Sequence, residues 1–521
     1  MGGDATAGRA APLALGRWTA GQAMLAFAAV AAAGVLLRPL LPIDETRYLA
    51  VAWEMRVGGN WLVPRLNGAI YPDKPPLLFW LINLVWSATG VSETAARLIG
   101  PAFGMGAIWA TGRLARRLRP DDPGIEGRAA WILAGFATFS VFAGLTMFDG
   151  MLTFAVVLGV LALTHAREGR AGWIGFGAAI ALGVFSKGPV ILLHLLPVAL
   201  AMPFWAGLSW RRTLAGLGLA LAVALGLVAL WLAPALAFGG PEYREAVLWT
   251  QSAGRMAGGR APHARDWWFF LSLLPALLWP WAWSAQIWSR QVWKGIGRGN
   301  PGPVWAVATL VLFSLISGKQ AHYLLPALPA VAVTLALALD LRALRAPLAA
   351  VVPAAVGLIA FAAAFGAPLG DQAELLAQPP WVAATIGLLF VALALAALAL
   401  RGAAVGLLGL GLVAVLNLIF LTDLGRSHDA GPLAALVAPH DGAIGVLNSR
   451  YAGEFAFAAR LRQPVAQFED AAVARAWLDA DPRRVLVARL DARSPEGAPR
   501  ATVTFRSRPY GVWSAGPEGQ P

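Results

Sequence analysis

The chain has 521 residues, of which 58% are hydrophobic and 13% charged, with a formal net charge of +13 and no cysteine. A mean hydropathy of +0.64 excludes a soluble globular protein, and the missing cysteines exclude disulfides and thiolate metal sites. Arginine is scattered through short loops and not gathered into a basic stripe with exposed aromatics, so the positive charge points to membrane topology and not to nucleic acid.

Apolar runs long enough to cross a hydrocarbon core recur along the chain, and predict an all-α polytopic membrane protein of about thirteen spans. In order they lie near 19–41, 94–113, 129–147, 150–165, 171–186, 188–206, 214–238, 267–288, 303–317, 321–341, 347–366, 381–400 and 403–421. The first run is long, lacks a small-residue cleavage site and precedes further spans, so a cleaved signal peptide is not expected. The run 75–89 is too short to span and reads as a juxtamembrane helix in a first outer loop, 42–93. With the N-terminus inside, this register puts Arg113, Arg116, Arg117, Arg119, Arg128, Arg167, Arg170, Arg211, Arg212, Arg290, Lys294, Arg298, Arg342, Arg345 and Arg401 on the cytoplasmic side, as the Lys/Arg bias requires.

The same register sends the tail outward. From residue 425 the composition changes: 443–447, 484–490, 501–505 and 511–514 read as strands and 469–478 as a helix, after a linker near 426–432. The expected organisation is a transmembrane domain, 1–424, followed by a small soluble α/β domain, 425–521, on the outer side of the membrane.

Charge beside a bilayer costs several kcal/mol unless it is paired or used, and the outer face collects it. Asp44-Glu45-Thr46-Arg47-Tyr48 opens the first loop; Asp44 can cap a helix running to Val57 or act as a general base. In Asp73-Lys74-Pro75-Pro76 the prolines stiffen the entry to a helix, Leu77 to Trp86, and Lys74 either snorkels among headgroups or meets a lipid phosphate. Asp149, between two apolar runs, is an N-cap or a second acid of the site, and Lys187 in Ser186-Lys187-Gly188-Pro189 is a turn passenger or a site cation. The loop 239–266 carries Arg255, Arg260, His263 and Arg265, whose arginines are solvated or bind phosphate; no HExxH spacing accompanies the histidine. Ser317-Gly318-Lys319-Gln320-Ala321-His322-Tyr323 offers Lys319 and Tyr323 to an anionic head group, without the glycine pattern of a nucleotide-binding loop.

In this order, Asp-Glu-x-Arg-Tyr, Asp-Lys-Pro-Pro-Leu-x-x-Trp, Lys-Gly-Pro and Ser-Gly-Lys-x-x-x-Tyr-Leu-Leu-Pro resemble the membrane glycosyltransferases of the dolichyl-phosphate-mannose-protein mannosyltransferase superfamily, in particular the bacterial branch that transfers 4-amino-4-deoxy-L-arabinose to lipid A. The resemblance runs from about residue 40 to 330. It implies a GT-C fold and transfer of a sugar from a polyprenyl phosphate such as undecaprenyl phosphate to a glycolipid, glycan or protein acceptor among the membrane lipids at the periplasmic face. By motif, Asp44 matches the acid of the first loop, Lys74 a lysine near the donor phosphate, Tyr323 a tyrosine beside it, and Asp149 a second acid. Asp73 and His263 match positions that hold a metal ion, zinc, although those enzymes commonly carry Glu where this chain has Asp73. Two other readings of the same charges are a transporter or flippase of a lipid-linked saccharide, against which the absence of internal repeats and the confinement of charge to one face argue, and a structural membrane subunit.

Overall fold

The computed structural model describes residues 18–248, 264–290, 292, 299–339, 344–365, 379–447, 450–491 and 494–515. The apolar stretches fold as helices, the local structure that pairs backbone groups within one segment. Among the described residues eight helical runs are long and apolar enough to cross a membrane. One of them, Arg170–Leu200, is interrupted at Gly188, whose φ is +79°. A Cβ added to Gly183 would stand 2.8 Å from Cβ of Ile191, whereas residues eight apart on a straight helix lie about 12 Å apart. The chain therefore reverses, and α9 (Arg170–Lys187) and α10 (Ile191–Leu200) form a hairpin.

The remaining expected spans fall on shorter or broken helices. The segment 94–113 folds as α4 (Glu93–Arg97) and α5 (Ile99–Leu118), the latter closing on Arg116 and Arg117. The segment 129–147 divides at Phe136 into α6 (Ile125–Gly135) and α7 (Ala137–Ala143). The segment 267–288 keeps one helix, Phe269–Leu277, before Pro280 breaks the ladder and 3-10 turns follow, and 303–317 folds as Gly302–Leu315.

Between α1 (Ala20–Leu37) and α4 the first loop holds α2 (Asp44–Gly58), the small hairpin β1 (Arg65–Leu66) and β2 (Ala69–Ile70), and α3 (Leu77–Thr89). Asp44 is the first residue of α2 and not its cap, since Ile43 occupies that position without a side-chain hydrogen bond. The loop has its own apolar core: Leu49, Met55, Phe79, Ile82 and Trp86 pack with Phe148 and Met151 of α8 (Phe148–Ala166) and with Phe457 of the tail.

The C-terminal segment forms a five-stranded mixed sheet in the order β4-β3-β5-β7-β6, built from β3 (Ile444–Leu447), β4 (Ala466–Phe468), β5 (Val485–Arg489), β6 (Ala501–Phe505) and β7 (Arg508–Ser514). β3 runs parallel to β4 and β5, and β7 antiparallel to β5 and β6. A helix, Gly431–Val437, stands where the end of the linker was expected, and the helix Ala471–Asp479 follows β4. This domain seats on the first loop. Trp53 Nε1 donates to the Leu461 carbonyl at 2.7 Å, and Asn67 brackets Val465, donating to its carbonyl at 2.9 Å and accepting from its N–H at 2.7 Å. The rings of Phe457 and Trp86 stack at 5.3 Å with an interplanar angle of 3°.

Candidate active site

Three segments distant in sequence meet at Asp149. It occupies the first turn of α8, where the helix dipole favours an anion, and is only 3% exposed. The strand of chain that leads into it, 144–147, crosses α5 so closely that a Cβ at Gly100 would stand 2.0 Å from the Leu145 carbonyl oxygen. Lys187, the last residue of α9, places Nζ 2.6 Å from Asp149 Oδ1. The other carboxylate oxygen, Oδ2, faces Nε2 of His322 at 3.9 Å. Lys187 also lies 4.6 Å from the centre of the Tyr323 ring, which meets the His322 ring edge-on at 5.0 Å. The buried acid is thus compensated by an ammonium, itself held over an aromatic face.

The first loop closes over this cluster. Tyr48 hydroxyl donates to Asp44 Oδ1 at 3.2 Å, one helical turn away, and its ring meets Phe148 edge-on at 4.8 Å, next to Asp149. Arg47 lies within electrostatic range of Tyr71 and Asp44. Burial pushes the Tyr48 phenol well above its ordinary range and Tyr71 up to about 12, Arg47 opposing the latter shift, so both remain protonated. Lys74 acts electrostatically on Asp149 and His322, and Asp73 on Tyr71. Asp44, Arg47, Tyr48, Asp73, Lys74, Asp149, Lys187 and Tyr323 therefore belong to one neighbourhood.

Glu45 has a different task. It is 1% exposed, gripped by both terminal nitrogens of Arg38, and accepts the N–H groups of Leu41 at 3.1 Å and Thr146 at 2.8 Å. Burial alone would raise its pKa, but Arg38, Arg97 and the Thr146 amide outweigh that and hold it at about 2. Its lone pairs are spent on tying α2 to the chain that enters Asp149, so it braces the site and does not supply a free base.

The contacts of Lys319 lie elsewhere. Its Nζ donates to the Arg265 carbonyl at 2.8 Å, burial lowers its pKa, and a bridge between Ala264 and Gly318 ties the two loops. Arg255, Arg260 and His263 fall outside the described residues. Among the described residues no three His, Cys, Asp or Glu side chains converge as metal ligands, and Asp73 is the sole described member of the implied metal pair.

Residues 73–233 match the family model described as dolichyl-phosphate-mannose-protein mannosyltransferase. The chain is 31% identical over 331 residues to undecaprenyl phosphate-alpha-4-amino-4-deoxy-L-arabinose arabinosyl transferase 1 of Pseudomonas fluorescens (strain Pf0-1), covering 61% of this chain and 57% of that one. It is 32% identical over 296 residues to the corresponding transferase of Pseudomonas aeruginosa (strain LESB58), covering 55% and 53%. The chain is similar to these transferases over part of its length. It spans little more than half the length of these curated relatives. The crystal structure of ArnT from Cupriavidus metallidurans in the apo state superposes with a TM-score of 0.74 at 21% identity, covering 95% of this chain and 98% of that one. The same protein bound to undecaprenyl phosphate gives 0.71 at 20% identity, covering 94% and 97%. The ArnT fold, with its transmembrane helices and C-terminal sheet domain, is thereby shared.

His322 escaped the reading of the sequence. A single histidine beside an apolar run carries little signal, yet its position next to Tyr323, a residue the motif already singled out, was the available pointer.

Proposed function

We propose that this chain is a polyprenyl-phosphate-dependent glycosyltransferase that moves a sugar from an undecaprenyl-phosphate-type donor to a glycolipid, glycan or protein acceptor at the periplasmic face of the inner membrane. The observation that carries the reading is the convergence of Asp44, Lys74, Asp149, Lys187 and Tyr323 from separate elements at one end of the helical bundle. The names of the related arabinosyl transferases support the donor class. About thirteen membrane crossings, with the domain boundary near 424, accord with this reading.

The chemistry follows from the charges. The acceptor hydroxyl attacks the anomeric carbon, Asp44 takes the hydroxyl proton, and the bond between that carbon and the phosphate oxygen breaks with inversion. Lys74 and Tyr323 meet the phosphate, which departs as polyprenyl phosphate carrying the charge. Asp149, already engaged by Lys187, fixes that ammonium toward the reacting end. Asp44 is the better proton acceptor because its described side-chain contact is one hydroxyl donor.

The test is transfer of radiolabelled sugar from a polyprenyl phosphate in proteoliposomes. Wild type is expected to transfer, and Asp44→Asn to lose about 10²–10⁴-fold in rate with an unchanged melting temperature. Full activity in folded Asp44→Asn removes Asp44 from the role of base, and donor movement across the bilayer without any transfer overturns the enzyme reading.

A further inference from the structure

We infer that His322 is an additional ligand of the donor phosphate, which takes up a proton when the phosphate binds. This rests on the transferase reading above and deepens it. His322 stands 3.9 Å from Asp149 by Nε2, too far for a hydrogen bond, so the ring is close to the acid without being consumed by it. Its side chain is 13% exposed, matching 14% for Lys187, and both therefore present an open edge while Asp149, at 4%, is sealed beneath them. The ring is clamped between Phe142 at 5.3 Å and Tyr323 at 5.0 Å, which fixes its orientation.

The charged groups facing it come from four elements: Asp44 on α2, Lys74 on the loop before α3, Asp149 on α8 and Lys187 at the end of α9. Without a lipid phosphate these amount to two anions and two cations around the imidazole. A bound phosphate adds negative charge beside the ring, and an imidazole is the one side chain here whose ordinary pKa lets it respond by protonating near neutrality. Binding then builds a third cationic donor that is absent from the empty site.

The experiment uses the full chain in detergent and undecaprenyl phosphate as the probe, by titration calorimetry at about pH 8, where a phosphate monoester is fully ionised and free imidazole is neutral. Measured in buffers of different ionisation enthalpy, wild type is expected to take up a substantial fraction of a proton on binding, and His322→Gln close to none. Between about pH 6.5 and 8.5 the wild-type Kd should rise about tenfold relative to that of His322→Gln. Since wild type alone reports proton uptake, misfolding of the variant leaves the idea open to refutation. Binding by wild type with no proton uptake overturns the role of His322, as does equal uptake in His322→Gln. Failure of wild type to bind undecaprenyl phosphate at any pH overturns the underlying donor reading instead.

Discussion

Lys187 and Asp149, on neighbouring antiparallel helices, are joined by a 2.6 Å charge-assisted hydrogen bond that only the reversal of the chain between α8 and α9 makes possible. Each is the main compensation for the other. Lys187→Met is expected to lower stability by about 3–5 kcal/mol, because it leaves a carboxylate buried without its partner. The double change Asp149→Asn with Lys187→Met should recover most of the melting temperature but none of the transfer. Equal instability of single and double variants, read by thermal unfolding in detergent, would contradict the pairing.

Glu45 gives the fold a defined acid limit. Its pKa is depressed from 4.5 to about 2 in the folded chain, so its stabilising contribution is complete above 4.5 and disappears as pH falls through about 2. Wild type should lose melting temperature progressively between about pH 4.5 and 2. Glu45→Gln should be less stable at pH 7 and lose less over the same acid interval. Identical acid profiles for the two proteins would remove Glu45 as the cause.

Gly100 is required by the approach of the 144–147 segment. Gly100→Ala should cost about 1–3 kcal/mol by forcing α5 and that segment apart, and should slow transfer by displacing Asp149. Gly218→Ala is the control, since nothing lies within 4 Å of its added Cβ and a helical alanine there should be neutral or stabilising. The comparison is read from melting temperatures, and equal effects at the two positions would refute the close-packing argument.

Phe457→Ala should weaken the seat of the C-terminal domain by about 3–5 kcal/mol, the usual cost of removing a buried ring. The expected sign is faster proteolytic cleavage near residue 425 at an unchanged melting temperature of the helical bundle. Unaltered proteolysis would show that Asn67 and Trp53 suffice to hold the domain.

What could be read in advance follows physical lines. The long uniform apolar runs, such as Trp210–Phe238, announced their helices because a bilayer permits little else. The Trp-rich stretch after Leu277 announced a span but folds as short turns at Pro280, since hydropathy does not register a broken hydrogen-bond ladder. In the tail β4 went unseen, being three residues long and recognisable only by its pairing with β3. The charged loops were conspicuous as expensive residues, and Asp44, Asp149 and Lys187 stood out for that reason. The partnership of Asp149 with Lys187 was not legible, because it depends on the packing of α8 against α9 and not on spacing. The same holds for Glu45, whose neighbour Asp44 looks equivalent on paper; one faces Arg38 in the core and the other lies at the site.

The docking of Asn67 on Val465 spans 398 residues of chain. The ribosome has therefore delivered the first loop, and the bundle beneath it, long before the segment that finishes its outer wall exists. A growing chain carries Trp53, Asn67 and Trp86 unmet until residues 457–465 have been made, so the seat of the sheet domain is assembled late.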